Sequence, residues 1–324
     1  MLESNVCKKI DLKDIKKIIF DFLGKDIIIS EIKLLKGGLF NTTYFFKTKY
    51  PENKYIIRIA PENKDLLFNY EKNMMKIEKN ICEIFDKNNI PTSKVLYENL
   101  NCNIINREYL ILKYIEGFAM SEISLEENEK SFIYEKLGFY TRKIHDIKSK
   151  TFGWPSKNGE MKKYKYWYDF IVDYVDEIIE KVTSYNIFEK NYINDLKKII
   201  YNNKELFNAD IKPSLVHNDL WEPNIIINKN EKNIWEISAI IDSDRVFYGH
   251  NEFEYVLWNM NKSFKKGYQN SLDESLQGKK RKICYQLITA TSNAFIIKMQ
   301  HNNIEGYNYS VNWGNDLLKL FNSL

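Results

Sequence analysis

The segment Ser214-Leu215-Val216-His217-Asn218-Asp219-Leu220-Trp221-Glu222-Pro223-Asn224-Ile225-Ile226-Ile227 constrains the fold more than any other stretch of the chain. It opens on an apolar run, crosses a polar loop and leaves as a second apolar run, which reads as strand, loop, strand. A little further on, Ile237-Ser238-Ala239-Ile240-Ile241 forms another short buried strand and stops abruptly at Asp242-Ser243-Asp244-Arg245. Three polar side chains, Asp219, Asn224 and Asp242, are thereby expected at strand ends. Strand ends are where a fold can present side chains to a ligand without disturbing its own ladder.

Isolated Asp and Asn residues are common in loops, because they bond to their own backbone. A set with this spacing has a second meaning. Transfer of a phosphoryl group from a nucleotide needs a carboxylate to orient the attacking hydroxyl, and hard oxygen ligands for Mg²⁺ on the phosphates. In that template an Asp is followed five positions later by a metal-holding Asn, and a second Asp follows the next strand. Asp219 is then the base, with Asn224 and Asp242 as the Mg²⁺ ligands and His217 as a loop buttress.

The run His217 to Asn224, together with Ile241-Asp242, resembles the aminoglycoside phosphotransferase and related small-molecule kinase family, whose fold is similar to that of protein kinases. Phe247-Tyr248-Gly249-His250-Asn251-Glu252-Phe253-Glu254 looks like that family's continuation. It departs in detail, since the family usually carries Asp-Pro at His250-Asn251, Asp at Glu254 and an aromatic residue at Ser243. The resemblance implies an α+β, two-lobed protein-kinase-like fold. Residues 1–114 would form a nucleotide-binding lobe of antiparallel sheet and helix, and residues 115–324 a larger, mainly helical catalytic lobe, with the hinge at about 112–117. It also implies ATP or GTP as donor, Mg²⁺ as cofactor and a small hydroxylated acceptor, an aminoglycoside-type antibiotic first. A choline-, sugar- or amino-acid-alcohol kinase is the alternative. A protein kinase is disfavoured, because Asp242-Ser243-Asp244 stands where Asp-Phe-Gly would, without a following Ala-Pro-Glu. A non-catalytic nucleotide-binding module is a further alternative, against which the presence of all three chemical positions argues.

Upstream, Asp11 to Leu23 places Leu12, Ile15, Ile18, Ile19 and Phe22 on one helical face, and Gly24 follows as a stop. Ile27 to Ile29, then Lys36-Gly37-Gly38-Leu39-Phe40-Asn41-Thr42-Thr43, then Tyr44-Phe45-Phe46 reads as strand, glycine turn, strand. Paired glycines serve tight turns in any hairpin, and they also let backbone N–H groups approach phosphates. The resemblance favours the second use and adds Asn41 and Thr42 to Gly37 and Gly38. A Walker lysine loop is absent.

Tyr55 to Ile59 is the next strand and carries Arg58, either an edge charge in water or a cation for the α- and β-phosphates held by a helix carboxylate. Lys is usual at this position, although some small-molecule kinases resembling this chain, the hygromycin-type enzymes included, show Arg. The following helix is expected from Asp65 to about Phe85, with Glu71 as partner of Arg58 and Glu78 as the weaker alternative. Glu108 to Gly117 runs from apolar strand into a glycine-bearing linker, so adenine is expected on the backbone of Lys113, Tyr114 and Ile115.

Beyond Gly117 the pattern is mainly helical: about Glu126 to Ile147 with His145 near its end, another from Tyr164, then Asn191 to Phe207, Phe253 to Met260, Ile283 to Met299 and a closing helix after Trp313. His145 reads as a packing residue, and the aromatics of Tyr164 to Phe170 as core or as a substrate wall. Acids available to a cationic acceptor are Asp169, Asp173, Asp244, Glu252 and Glu254, with exposed helix acids the ordinary explanation for most. Glu254 is expected to support the catalytic loop. The chain is 44% hydrophobic and 28% charged with net charge +4, ordinary values for a soluble globular protein. Its positive charge forms no block of the kind that nucleic acid demands. The apolar runs are too short to span a bilayer. Cys7, Cys82, Cys102 and Cys284 lack metal-ligand spacing, the N-terminal residues lack a signal-peptide pattern, and a cytoplasmic location is expected.

Overall fold

The computed structural model describes residues 4–35, 38–155, 161–208 and 210–324. The chain forms two compact units, one of Met1–Ser124 with Glu222–Arg245 and the other of Leu125–Trp221 with Val246–Leu324. The expected boundary at residue 114 falls ten residues before the end of the first segment of the first unit, at Ser124. The chain leaves the first unit after Ser124 and re-enters it at Glu222 for the hairpin that ends at Ile240.

In chain order the first unit carries α1 (Leu12–Leu23), β1 (Ile29–Leu34), β2 (Thr42–Thr48), β3 (Lys54–Ile59), α2 (Met74–Lys87), β4 (Val95–Asn99), β5 (Tyr109–Lys113) and the two-residue β6 (Phe118–Ala119). The second unit follows with α3 (Glu127–Asp146), α4 (Trp167–Ser184), α5 (Lys190–Asn202) and β7 (Ser214–Val216). The chain returns to the first unit for β8 (Ile225–Lys229) and β9 (Trp235–Ile240). It ends in the second with β10 (Phe247–Gly249), α6 (Lys262–Tyr268), α7 (Leu276–Phe295) and α8 (Ile304–Ser323).

β1 to β5 make a five-stranded antiparallel sheet in the order β1-β2-β3-β5-β4. Its period-two alternation sorts the side chains between two layers. Tyr55, Ile57 and Ile59 of β3 pack with Tyr44, Phe46, Tyr109 and Ile111 against Ile15, Ile18 and Ile19 of α1. Leu110, Leu112 and Ile56 pack on Met75 of α2. Arg58 alternates with the α1-facing residues of β3, and the sheet thereby directs it towards α2.

The helix expected from Asp65 begins only at Met74, and Lys64–Leu66 and Glu71–Asn73 are short 3₁₀ turns. Leu66, Leu67 and Phe68 are buried one after another. Three consecutive inward side chains do not fit an amphipathic helix, whose apolar positions recur at three and four. The helix expected from Phe253 to Met260 is likewise 3₁₀, over Asn251–Phe253 and Tyr255–Asn259, interrupted by an extended Glu254 at φ −62°, ψ 119°.

In the second unit β7 pairs antiparallel with β10. Trp167 and Phe170 of α4 lie in the core, with Trp167 stacked on Phe170 and Phe247. The aromatic cluster at the start of α4 is therefore divided. Trp167 and Phe170 are core, whereas Tyr164 and Tyr168 line an open cavity of about 740 Å³ together with Asp169, Asp173 and Lys197. Among the described residues no helix is long and apolar enough to cross a membrane.

Candidate active site

In the first unit, β8 and β9 pair antiparallel with Ile225 opposite Ile240, and Ile241 N–H donates to Asn224 O at 3.0 Å. Asn224 immediately precedes β8 and Asp242 follows β9 by two residues, so the hairpin brings both to the same end. Ile240 N–H donates to Pro91 O at 2.8 Å, which pins the hairpin to the segment leading into β4. Gly117 lies against this hairpin at φ +142°, and a Cβ there would stand 2.5 Å from Ile227 O. The glycine of the expected hinge is thus required by a close backbone approach.

Asp242 has φ +62°, in the left-handed region that non-glycine residues occupy at a cost of about 1–3 kcal/mol. Its side chain is 36% exposed, and Arg58 Nη2 donates to its Oδ1 at 2.5 Å. The same Nη2 reaches Asp244 Oδ2 at 3.1 Å, while Asn41 Nδ2 donates to that oxygen at 3.0 Å. Arg58 Nε lies 2.9 Å from Glu78 Oε2, an ionic contact whose angle does not make a hydrogen bond. Three carboxylates thus share one buried guanidinium.

The carboxylate that α2 gives to Arg58 is Glu78, the weaker alternative of the sequence reading. Glu71, the preferred partner, precedes the helix and turns its Oε2 to accept from Phe68 N–H at 2.9 Å. Because the helix starts late, Glu78 falls in its second turn among the buried positions Met74, Met75, Ile77 and Ile81. Asp244 was among the acids expected at an acceptor pocket. It is 4% exposed and belongs to the Arg58 cluster. Asp244 stands two residues beyond Asp242 in the turn that follows β9, and that nearness in the chain was the signal that could have found it.

Burial pushes the Glu78 carboxyl up to about 8, and the charges of Asp244 and Asp242 push the same way against the pull of Arg58. Burial, then the charge of Asp242, raises Asp244 to about 6. Arg58 is held above its ordinary value, its loss of solvation outweighed by Asp242, Glu78 and Asp244. Between the ordinary value of 4.5 and about 8, the folded chain therefore binds more protons at Glu78 than the unfolded chain. The stability from this group is complete below the ordinary value and is lost as pH rises through about 8. Denaturant unfolding at pH 6 and pH 8 should show wild type weakening across that interval and Glu78→Gln weakening less.

Of the glycine turn, Gly37 lies outside the described residues. A Cβ on Gly38 would stand 2.7 Å from Asn41 O, so the turn itself requires this glycine. Asn41 is buried and bonded to Asp244 as above. Thr42, grouped with it in the sequence reading, is turned elsewhere: its hydroxyl donates to Lys8 O at 2.8 Å and accepts from Arg107 Nη2 at 3.0 Å, fully buried. At the hinge, Lys113 N–H donates to Lys94 O, Lys113 O accepts from Ser93 Oγ at 2.6 Å, and Tyr114 N–H donates to Lys54 O at 3.3 Å. Those backbone groups already serve the sheet.

In the second unit, the loop after β7 carries His217, Asn218 and Asp219. Glu254, completely buried, accepts His217 N–H on Oε2 at 2.7 Å and Asn218 N–H on Oε1 at 3.0 Å. Asn218 has φ +64°, which presents its N–H alongside that of His217. The inward reach of Glu254 accounts for the extended backbone that breaks the expected helix. His145 Nε2 lies 3.5 Å from the same Oε2, and His145 Nδ1 lies 2.8 Å from Tyr268 OH. The residues that depart from the family pattern have partners here too: Asn251 Nδ2 donates to Tyr268 OH at 3.1 Å, and His250 Nδ1 lies 2.9 Å from Tyr285 OH. Burial holds His250 down at about 3, so its ring is neutral.

Of the remaining acids, Glu252 pairs with the buried Arg281 at 3.4 Å and accepts Asp273 N–H at 2.7 Å. Asp173 accepts from Lys162 and from Tyr164 OH.

A five-stranded antiparallel sheet with α1 and α2 on its two faces, joined to a mainly helical remainder, is the protein-kinase-like fold. With its strand-end Asn and Asp, it defines a nucleotide-dependent small-molecule kinase. The chain belongs to the fructosamine kinase family, whose model matches residues 12–305. No sequence among the curated proteins matches it. Among solved structures, a provisionally assigned fructosamine-3-kinase from Haemophilus somnus 129PT superposes with a TM-score of 0.65 at 15% identity, covering 94% of this chain and 97% of that one. A thermostable variant of aminoglycoside phosphotransferase APH(4)-Ia, bound to AMP-PNP and hygromycin B, gives 0.66 at 16% identity, with 94% and 98% covered. The gentamicin complex of APH(2")-IIa gives 0.63 at 15%, with 97% and 99% covered.

Proposed function

We propose that the chain transfers the γ-phosphate of ATP or GTP to a hydroxyl of an amine-bearing sugar, with Asp219 orienting that hydroxyl and Asn224 and Asp242 holding Mg²⁺. The observation that carries the reading is the pairing of Asn224 and Asp242 at one end of the β8–β9 hairpin, with Asp242 kept in a left-handed backbone. Among the described residues, no three His, Cys, Asp or Glu side chains form a closed metal cage. Mg²⁺ does not ask for one, since it takes one or two protein oxygens and completes its shell with phosphate and water. The donor set fits that habit. Bound there, Mg²⁺ would neutralise charge on the β- and γ-phosphate oxygens.

The chain's own residues do the rest. Arg58 and the backbone near Gly38 place the phosphates. At the hinge, the commitments of Lys113 and of Tyr114 N–H leave adenine to Tyr114 C=O and Ile115. Asp219 holds the acceptor hydroxyl and takes its proton late, because a loose transition state demands little early proton removal. His217 is fully buried, which suits a loop support better than a proton carrier.

The family match supports a fructosamine ahead of an aminoglycoside as acceptor, and the two share hydroxyl-rich rings with an amine. The test is phosphorus NMR of product mixtures containing Mg²⁺, ATP or GTP and, in separate tubes, fructosyl-lysine, an aminoglycoside and choline. A new phosphomonoester in the fructosyl-lysine tube is expected. Product with choline alone would overturn the amine-bearing sugar as acceptor.

A further inference from the structure

We propose that Arg58 holds the metal's place on Asp242 and gives it up to the triphosphate, so that divalent cation and nucleotide bind this chain cooperatively. The inference rests on the kinase reading above and concerns how its two ligands are linked. Arg58 Nη2 donates to Asp242 Oδ1 at 2.5 Å and to Asp244 Oδ2 at 3.1 Å, with Nε 2.9 Å from Glu78. A carboxylate oxygen bonded to a guanidinium is a poor inner-shell ligand for a second cation. A metal on the other oxygen of Asp242 would still stand within roughly 5 Å of the guanidinium, where like charges in a partly buried site repel appreciably.

The two ends of this contact are exposed unequally. The Arg58 side chain is 10% exposed and the Asp242 side chain 36%, so a ligand can reach the carboxylate while the guanidinium stays anchored by Glu78 from the α2 side. Phosphate oxygens offer the planar, bidentate guanidinium of Arg58 charged acceptors to replace Asp242. As Arg58 turns to the α- and β-phosphates, Asp242 is freed for the metal that the same phosphates bring. Each ligand thus prepares the seat of the other, and by linkage the enhancement must be equal in both directions. Lysine could not serve in the same manner, because an ammonium is a single point charge and does not span three carboxylates in fixed geometry.

The test uses the full chain with Mn²⁺ as a spin probe, its free concentration read by electron paramagnetic resonance with and without AMP-PNP and set against protein-free solutions of the same Mn²⁺ and AMP-PNP, because the nucleotide itself chelates Mn²⁺. Wild type should bind Mn²⁺ weakly alone and about 5- to 150-fold more tightly with AMP-PNP, the ordinary range of coupling between sites. Arg58→Gln should bind Mn²⁺ alone more tightly than wild type and show little further gain on adding AMP-PNP. Because Arg58→Gln leaves three carboxylates without their cation, Arg58→Gln combined with Glu78→Gln is measured beside it and should behave alike. A wild-type chain that binds Mn²⁺ equally with and without AMP-PNP would overturn the proposal, as would folded variants that hold Mn²⁺ alone no better than wild type. A wild-type chain that takes up no Mn²⁺ even with AMP-PNP would overturn the kinase reading together with it.

Discussion

Asp219→Asn should lower kcat by about 10²- to 10⁴-fold, the range for a positioned general base, while leaving thermal stability and nucleotide affinity close to wild type. The substitution keeps the size of the side chain and removes its charge. Its surroundings make the effect local. The two residues before Asp219 are held by Glu254, which accepts both His217 N–H and Asn218 N–H from a completely buried position. Those two bonds hold the backbone that leads into Asp219. Steady-state rates at saturating nucleotide, set against melting curves of the same preparations, read the two quantities apart. A folded Asp219→Asn chain turning over at the wild-type rate would remove this residue from the chemistry.

Asp242→Asn should separate stability from activity in opposite directions. Turnover is expected to fall on the order of 10³-fold or more, since a metal ligand contributes several kcal/mol to transition-state charge stabilisation. The variant should nonetheless be more stable than wild type without nucleotide, by about 1 kcal/mol, and so melt at a higher temperature. Asn tolerates the left-handed backbone at φ +62° at least as well as Asp. Removing the Asp242 charge also relieves Asp244 and Glu78, both of which it pushes upward. Arg58 keeps Glu78 and Asp244 as partners. Thermal unfolding and turnover on one preparation decide the matter. A variant that melts earlier would make Asp242 a structural partner of Arg58 first, and a variant that works normally would deny it the metal.

The candidate site was legible in the sequence wherever a chemical residue sits at the end of an apolar strand. β8 and β9 are short strands whose apolar runs put Asn224 and Asp242 at one end of the hairpin, and Asp219 follows β7 by three residues. The sheet and α1 were legible for a similar reason, since Ile15, Ile18, Ile19 and the alternation along β3 are periodic. What escaped depends on partners remote in sequence. Thr42 belongs with Lys8 and Arg107, and nothing within the glycine turn says so. Asp244 reads as a loop acid until Arg58 is placed beside it. The preference for Glu71 over Glu78 followed from starting the helix at Asp65. The consecutive burial of Leu66, Leu67 and Phe68 delays that start past Glu71 and leaves Glu78 as the buried carboxylate on the helix. The same lesson holds at Phe253 to Met260, where helical spacing lost to a single carboxylate, Glu254, drawn inward by two backbone N–H groups.

The central claim is that Asn224 and Asp242 serve one divalent ion. Anomalous diffraction from crystals grown with Mn²⁺ and AMP-PNP tests it most directly. One ion coordinated by Asn224 Oδ1 and an Asp242 carboxylate oxygen at about 2.1–2.2 Å, and by phosphate oxygens of the nucleotide, is the predicted result. A nucleotide-bound ion that leaves both side chains beyond coordination distance would contradict the account.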